Sequence, residues 1–109
     1  CVTGVQTCAL PILYTLGEIT IGANSVVSQK CYLCTGSHDF MSQHFDITAS
    51  PIVIGEKCWL ATDVFVAPGV SVGDGTVVGA RSSVFKSLPA NKICRGNPAV
   101  VIRERVETD

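Results

Sequence analysis

The sequence predicts an all-β solenoid of short strands, and three observations predict it. A branched aliphatic residue returns every sixth position: Ile21, Val27 and Leu33, then Ile54, Leu60, Val66, Val72, Val78 and Val84. Four positions after each stands a small or aliphatic residue: Ser25, Cys31, Ser37, Cys58, Val64, Val70, Thr76, Ser82 and Leu88. Neither a helical period nor simple strand alternation accounts for the same stretch. Self-similarity at a short fixed period marks a solenoid, in which each repeat buries its apolar side chain only by stacking on its neighbours.

Taken in order, residues 1–12 stand apart. Val2 to Ile12 matches the in-frame translation of a sequencing-library adapter, so this stretch is set aside as an artefact, Cys1 and Cys8 with it. The informative domain is 13–109, with its natural N-terminus expected further upstream. Each hexad from Ile21 supplies one short strand and a turn, and three hexads close one triangular coil. Pairs such as Ala23-Asn24 and Asp74-Gly75 suit the turns, which need positive φ. The repeat breaks once. After Leu33 the next in-phase position is Asp39, yet the phase resumes only at Ile54, so residues 39–53 are expected as an extruded loop. A loop on a rigid scaffold is where function concentrates, although a tolerated insertion has the same signature. Pro89 ends the repeat. Asn97-Pro98 reads as the cap and first turn of a short C-terminal helix through Val100, Val101 and Ile102, followed by a frayed polar tail.

Composition narrows the class. The chain has 109 residues, 47% hydrophobic and 16% charged, with a formal net charge of −1, which fits one globular domain. Its cations are scattered, so no nucleic-acid partner is expected. No apolar run approaches the roughly 20 residues of a membrane span, and the chain reads as soluble and cytoplasmic. Cys31 and Cys34 form a CxxC, but no second ligand pair stands at zinc spacing, and no metal is expected. Cys31 and Cys58 fall on core positions of the repeat.

Two histidines are candidates for chemistry. His38 closes the last hexad before the loop, where the scaffold can fix a side chain that still faces a cleft. An imidazole titrating near neutrality is suited to taking a proton from a hydroxyl. His44 lies inside the loop and reads as incidental.

The stretches Thr35-Gly36-Ser37-His38-Asp39, Pro51-Ile52-Val53-Ile54-Gly55, Cys58-Trp59-Leu60-Ala61, Ala67 to Gly73, Gly79 to Lys86 and Gly96-Asn97-Pro98-Ala99 resemble the hexapeptide-repeat acetyltransferases. The nearest branch is the colanic-acid-biosynthesis O-acetyltransferases, and maltose and galactoside acetyltransferases are more distant. The resemblance covers nearly all of Tyr14 to Arg105. It implies a left-handed parallel β-helix, a homotrimer with active sites between protomers, and acetyl-CoA as co-substrate. It further implies an acceptor hydroxyl on a sugar or exopolysaccharide precursor and His38 as the general base. By matching motif positions, Trp59, Thr62, Ala80, Phe85, Lys86, Pro98 and Arg103 lie along the coenzyme. Trp59 walls the cleft or is a plain packing residue. Ala80 offers backbone groups to the pantetheine arm, and Pro98 a surface for the adenine. Lys86 and Arg103 meet phosphates or are ordinary solvated charges.

Departures from the pattern bear on function. Val100 stands where relatives often carry a cation. Asp39 follows the histidine, where it either orients His38 or starts the loop. The acceptor-binding residues of better-known relatives lie upstream of Ile19, where this chain carries the adapter-like segment. Two other readings stay open: acetylation of a xenobiotic hydroxyl, and a trimeric β-helix retained only as a scaffold.

Overall fold

The structure is a computed structural model that describes residues 6–7, 12–14 and 17–106; Cys1 and Cys8 lie outside the described residues. Among these residues every regular element is a strand. Three largely parallel sheets form the faces of the coil. The first face holds β3 (Ile19–Ile21), β8 (Ile52–Ile54) and β11 (Ser71–Val72). The second holds β1 (Gln6–Thr7), β4 (Val26–Val27), β9 (Trp59–Leu60), β12 (Val77–Val78), β14 (Lys92–Gly96) and β15 (Ala99–Glu104). The third holds β2 (Ile12–Tyr14), β5 (Tyr32–Cys34), β10 (Phe65–Val66) and β13 (Ser83–Val84). The chain visits the faces in cyclic order. Val53 pairs with Ser71, Trp59 with Val77 and Phe65 with Ser83, so one circuit takes three hexads.

This register stacks the aliphatic repeat into three inward columns: Ile21, Ile54 and Val72; Val27, Leu60, Val78 and Cys94; Leu33, Val66 and Val84. All are buried. Each such side chain contributes about 1.5–3 kcal/mol relative to exposure. The residues four positions on fill the spaces between columns, and all are buried except Ser37, which is exposed because the chain has already left the coil there. Buried hydroxyls at these places bind across circuits. Ser25 Oγ donates to the Gly55 carbonyl at 2.6 Å and accepts from the Cys58 N–H at 3.0 Å. A side chain that serves both as donor and acceptor costs little to bury.

The corners follow the same logic. Asn24, Lys57, Gly75 and Asn91 form one column of turn residues at φ between +56° and +74°, and Lys30, Asp63 and Arg81 a second near +62°. Asn and Gly meet that demand without much cost, as the sequence predicts at Asn24 and Gly75. Lys57, Asp63 and Arg81 meet it because circuit-to-circuit hydrogen bonds hold them, such as Arg81 N–H to the Thr62 carbonyl at 2.9 Å.

The C-terminal helix is not there. Residues Lys92–Gly96 and Ala99–Glu104 pair as an antiparallel hairpin, with Gly96 at φ +113° and a cis Asn97–Pro98 peptide at the turn. Three consecutive β-branched residues, Val100-Val101-Ile102, lose side-chain freedom in a helix and fit a strand, and the open edge of β14 offers them a ladder. The hairpin then closes on the coil. Arg105, expected in a frayed tail, donates through its guanidinium to the carbonyls of Lys57 and Gly75, at 2.8 and 2.9 Å.

Burial pushes the Cys31, Cys58 and Cys94 thiols above their ordinary ionisation range; backbone hydrogen bonds partly offset this at Cys31 and Cys58, and Lys92 does so at Cys94. A pKa raised by folding contributes stability that is complete below the unfolded thiol value, about 8.5, and is lost as pH rises beyond it. The urea midpoint should therefore fall between pH 8 and pH 10.5, and fall less in Cys58→Ala than in the parent. An unchanged midpoint at pH 10.5 would show that folding does not shift these thiols.

Candidate active site

The coil breaks between the third and first faces. Thr35 is buried at the foot of the break, where its hydroxyl accepts from the Gly17 N–H at 2.8 Å and its carbonyl from the Ser50 N–H at 2.9 Å. From that foot the chain leaves as β6 (Gly36–His38), turns, and returns as β7 (Ile47–Ala49), antiparallel to β6. Within the interval 39–53, then, Ile47–Ala49 is strand, and Ile52 has rejoined the coil opposite Ile19. Gly36, Ser37 and His38 pair with Ala49, Thr48 and Ile47.

His38 is exposed on this hairpin, and its ring is nevertheless fixed. Nδ1 lies 2.9 Å from the Phe45 carbonyl oxygen. A carbonyl can only accept, so Nδ1 carries a proton in this contact. A general base held in this way would act through Nε2 of the neutral ring. The turn that places this carbonyl is itself ordered. Asp39 Oδ1 accepts from the Met41 N–H at 2.9 Å, so the Asp39 carboxylate starts the turn and does not contact the imidazole. Ser42 Oγ donates to the Asp39 carbonyl at 3.0 Å and accepts from the Asp46 N–H at 2.8 Å. Phe45 sits at φ +51°. The same hairpin exposes four large apolar side chains, Phe40, Met41, Phe45 and Ile47. Ser42 and the Phe45 carbonyl were missed by sequence reasoning. The Asp-x-x-Ser spacing of a side-chain-capped turn was the available signal.

The remaining candidates fall into two groups. Phe85 and Lys86 follow β13 at the corner between the third and first faces, the corner from which the hairpin departs in the earlier circuit. Phe85 ends a row of rings on the third face, Tyr32, Phe65 and Phe85, with successive centroids 5.9 Å apart. The others lie around the second face. Trp59 is half-exposed, and its indole N–H donates to Ser28 Oγ at 2.9 Å. Strand register puts it in an outward row of Val26, Trp59, Val77, Ile93 and Arg103. Thr62 and Ala80 occupy equivalent turns at the corner between the second and third faces. At that corner Asn97, beside Pro98 at the hairpin tip, accepts from the Ser83 hydroxyl. One protomer therefore brings Trp59, Thr62, Ala80, Pro98 and Arg103 to one side and His38 with Phe85 and Lys86 to another. Among the described residues no cluster of three His, Cys, Asp or Glu side chains could hold a metal ion. Among them, too, no helix is long and apolar enough to cross a membrane.

Residues 51–86 match the sequence profile of the bacterial transferase hexapeptide family (six repeats). The chain is 87% identical over 97 residues to an Escherichia coli (strain K12) protein that carries the provisional name colanic acid biosynthesis acetyltransferase WcaF. That match covers 89% of this chain and 53% of the relative. This chain thus spans about half the length of that curated relative. Among solved structures, a maltose O-acetyltransferase from Clostridium difficile 630 superposes with a TM-score of 0.82 at 23% identity, covering 98% of this chain and 70% of that one. A hexapeptide-repeat acetyltransferase from Vibrio cholerae, solved with acetyl-CoA, superposes with a TM-score of 0.75 at 22% identity, over 97% of this chain and 72% of that one.

Proposed function

We propose, from the hexapeptide profile over residues 51–86 and the 87% identity to its relative, that the chain is a hexapeptide-repeat acetyltransferase and transfers an acetyl group from acetyl-CoA to a hydroxyl of a sugar or exopolysaccharide precursor. The observation that carries the reading is the imidazole of His38 held through Nδ1 by the Phe45 carbonyl. In this reading Nε2 removes the proton from the acceptor hydroxyl as its oxygen attacks the thioester carbon. The tetrahedral oxyanion is held by a backbone N–H, a type of contact worth about 3–4 kcal/mol. Collapse breaks the carbon–sulfur bond, and the imidazolium returns its proton to the leaving thiolate.

The coil is proposed to be left-handed, in line with the solved structures it resembles, and the working unit to be a cytoplasmic homotrimer with sites between protomers. Support for the shared site comes from topology: on one chain His38 leaves the coil at the corner between the third and first faces, whereas Trp59, Thr62 and Ala80 lie on the second face and its corner with the third. The outward row Val26, Trp59, Val77 and Ile93 ends on Arg103, an apolar strip terminated by a cation. Such a strip suits an acyl-pantetheine arm that ends in phosphates, with Thr62 and Ala80 offering backbone beside it and Pro98 a surface for adenine. Phe85 and Lys86 are assigned to the coenzyme as well. Residues 1–12 are read as adapter-derived, and the close match spans 97 residues, the length of Leu13 to Asp109.

Titration of the folded chain with acetyl-CoA tests the reading. At about 100 times its dissociation constant the ligand should stabilise the fold by about 2.7 kcal/mol, a clear rise in Tm. Turnover with maltose-type or polysaccharide acceptors, rather than with antibiotic hydroxyls, then separates the sugar reading from the xenobiotic one. A folded protein whose Tm ignores acetyl-CoA at every concentration is a scaffold.

A further inference from the structure

We propose that Ser42 is a positioning residue for His38, acting through the peptide group between Phe45 and Asp46. This rests on the reading of His38 as the base. One rigid peptide unit carries both the Phe45 carbonyl and the Asp46 N–H. The carbonyl accepts from His38 Nδ1 at 2.9 Å, and the N–H donates to Ser42 Oγ at 2.8 Å. The plane of that peptide is thus clamped between the imidazole and the hydroxyl. Ser42 is anchored in turn, because its hydroxyl proton goes to the Asp39 carbonyl at 3.0 Å and its own N–H to the same oxygen at 3.1 Å. Across the turn, the Asp39 N–H donates to the Asp46 carbonyl at 2.8 Å.

The clamp opposes two natural tendencies. Phe45 is at φ +51°, a left-handed conformation that a non-glycine residue keeps only when its surroundings hold it. Neutral imidazole in water also prefers its proton on Nε2, the atom that must be bare to act as base. Without the Ser42 hydroxyl, the peptide is free to rotate, the carbonyl turns from Nδ1, and the ring reverts to the unproductive tautomer. Ser42 touches no reacting atom; it decides which nitrogen does.

The test combines nitrogen-15 NMR of the imidazoles with kinetics on the full chain. Only His38 and His44 contribute signals, and a His44→Ala sample assigns them. Ser42→Ala should move His38 toward the Nε2–H tautomer and lower kcat on the order of 10–100-fold, with KM for acetyl-CoA unchanged. Ser42→Thr, which keeps the hydroxyl, should retain the parent tautomer and most of kcat. A folded Ser42→Ala protein that keeps the Nδ1–H tautomer overturns the proposal, whatever its kcat. If His38→Ala leaves turnover intact, the base assignment fails, while the tautomer comparison still decides whether Ser42 orients the ring.

Discussion

Replacing His38 by alanine is expected to reduce kcat by about 10²–10⁴-fold, the range a positioned general base supplies. Acetyl-CoA should still raise the Tm of the variant, because most of the assigned coenzyme groups, Trp59, Thr62, Ala80, Pro98 and Arg103, lie elsewhere on the coil. Stability should hardly change either. His38 is exposed, and its ring donates to a Phe45 carbonyl that water can satisfy instead. The combination is diagnostic: lost turnover, retained ligand response and retained fold mean that the imidazole acts on the reaction and not on the structure. His44→Ala, in the same turn, is the control and should leave kcat within about twofold, since surface changes of this kind are close to neutral. Equal turnover in His38→Ala and the parent would remove the base from the mechanism. If neither parent nor variant transfers acetyl, the acceptor or the activity itself is misassigned, and the thermal response to acetyl-CoA separates those cases.

Leu60→Ala should cost about 2–5 kcal/mol, the largest single effect expected on stability. Leu60 is fully buried in the column of Val27, Val78 and Cys94. Its strand is paired on both sides, with Val26 opposite Trp59 on one and Val77 on the other, and its carbonyl accepts from the Ser28 N–H at 2.9 Å. Those ladders fix the spacing of the circuits, so the walls cannot close over the space a leucine leaves. The cost should fall toward the upper end of the range. Urea unfolding followed by far-ultraviolet circular dichroism measures it, with Ile102→Ala on the exposed edge strand as a comparison expected within about 0.5 kcal/mol of the parent. A loss below about 1 kcal/mol for Leu60→Ala would mean that the columns are not stacked in solution.

Much of the coil was legible in the sequence. The nine aliphatics identified by period occupy the three inward columns, and their partners four places on are buried, apart from Ser37. The break after Leu33 was legible too, but its form was not. The sequence suggested a loop over residues 39–53; the chain instead leaves at Gly36, three residues earlier, and returns as a paired strand, because Thr35 and Ser50 join at the foot. The C-terminal turn was misread for a related reason. Asn-Pro before an apolar run satisfies the rules for a helix start, and only the presence of an unpaired β14 edge beside Val100, Val101 and Ile102 favours the hairpin. For Asp39 the sequence allows two roles, and its contact with the Met41 N–H decides for the turn.

By itself, then, the sequence determined the repeat, the inward phase of its hexads, the tight corners at Asn24 and Gly75 and the place where the repeat is interrupted. Those features follow from side chains: a branched aliphatic every sixth residue must find an interior, and Asn24 and Gly75 suit a left-handed turn, whereas Lys57, Asp63 and Arg81 adopt one without that signal. Only the tertiary structure decided the path of the hairpin, the strand that closes the coil, and which carbonyl meets His38 Nδ1. Each of these depends on where a main-chain carbonyl or an open strand edge lies in space. Every residue carries the same main-chain groups, so their placement leaves no trace in the order of side chains.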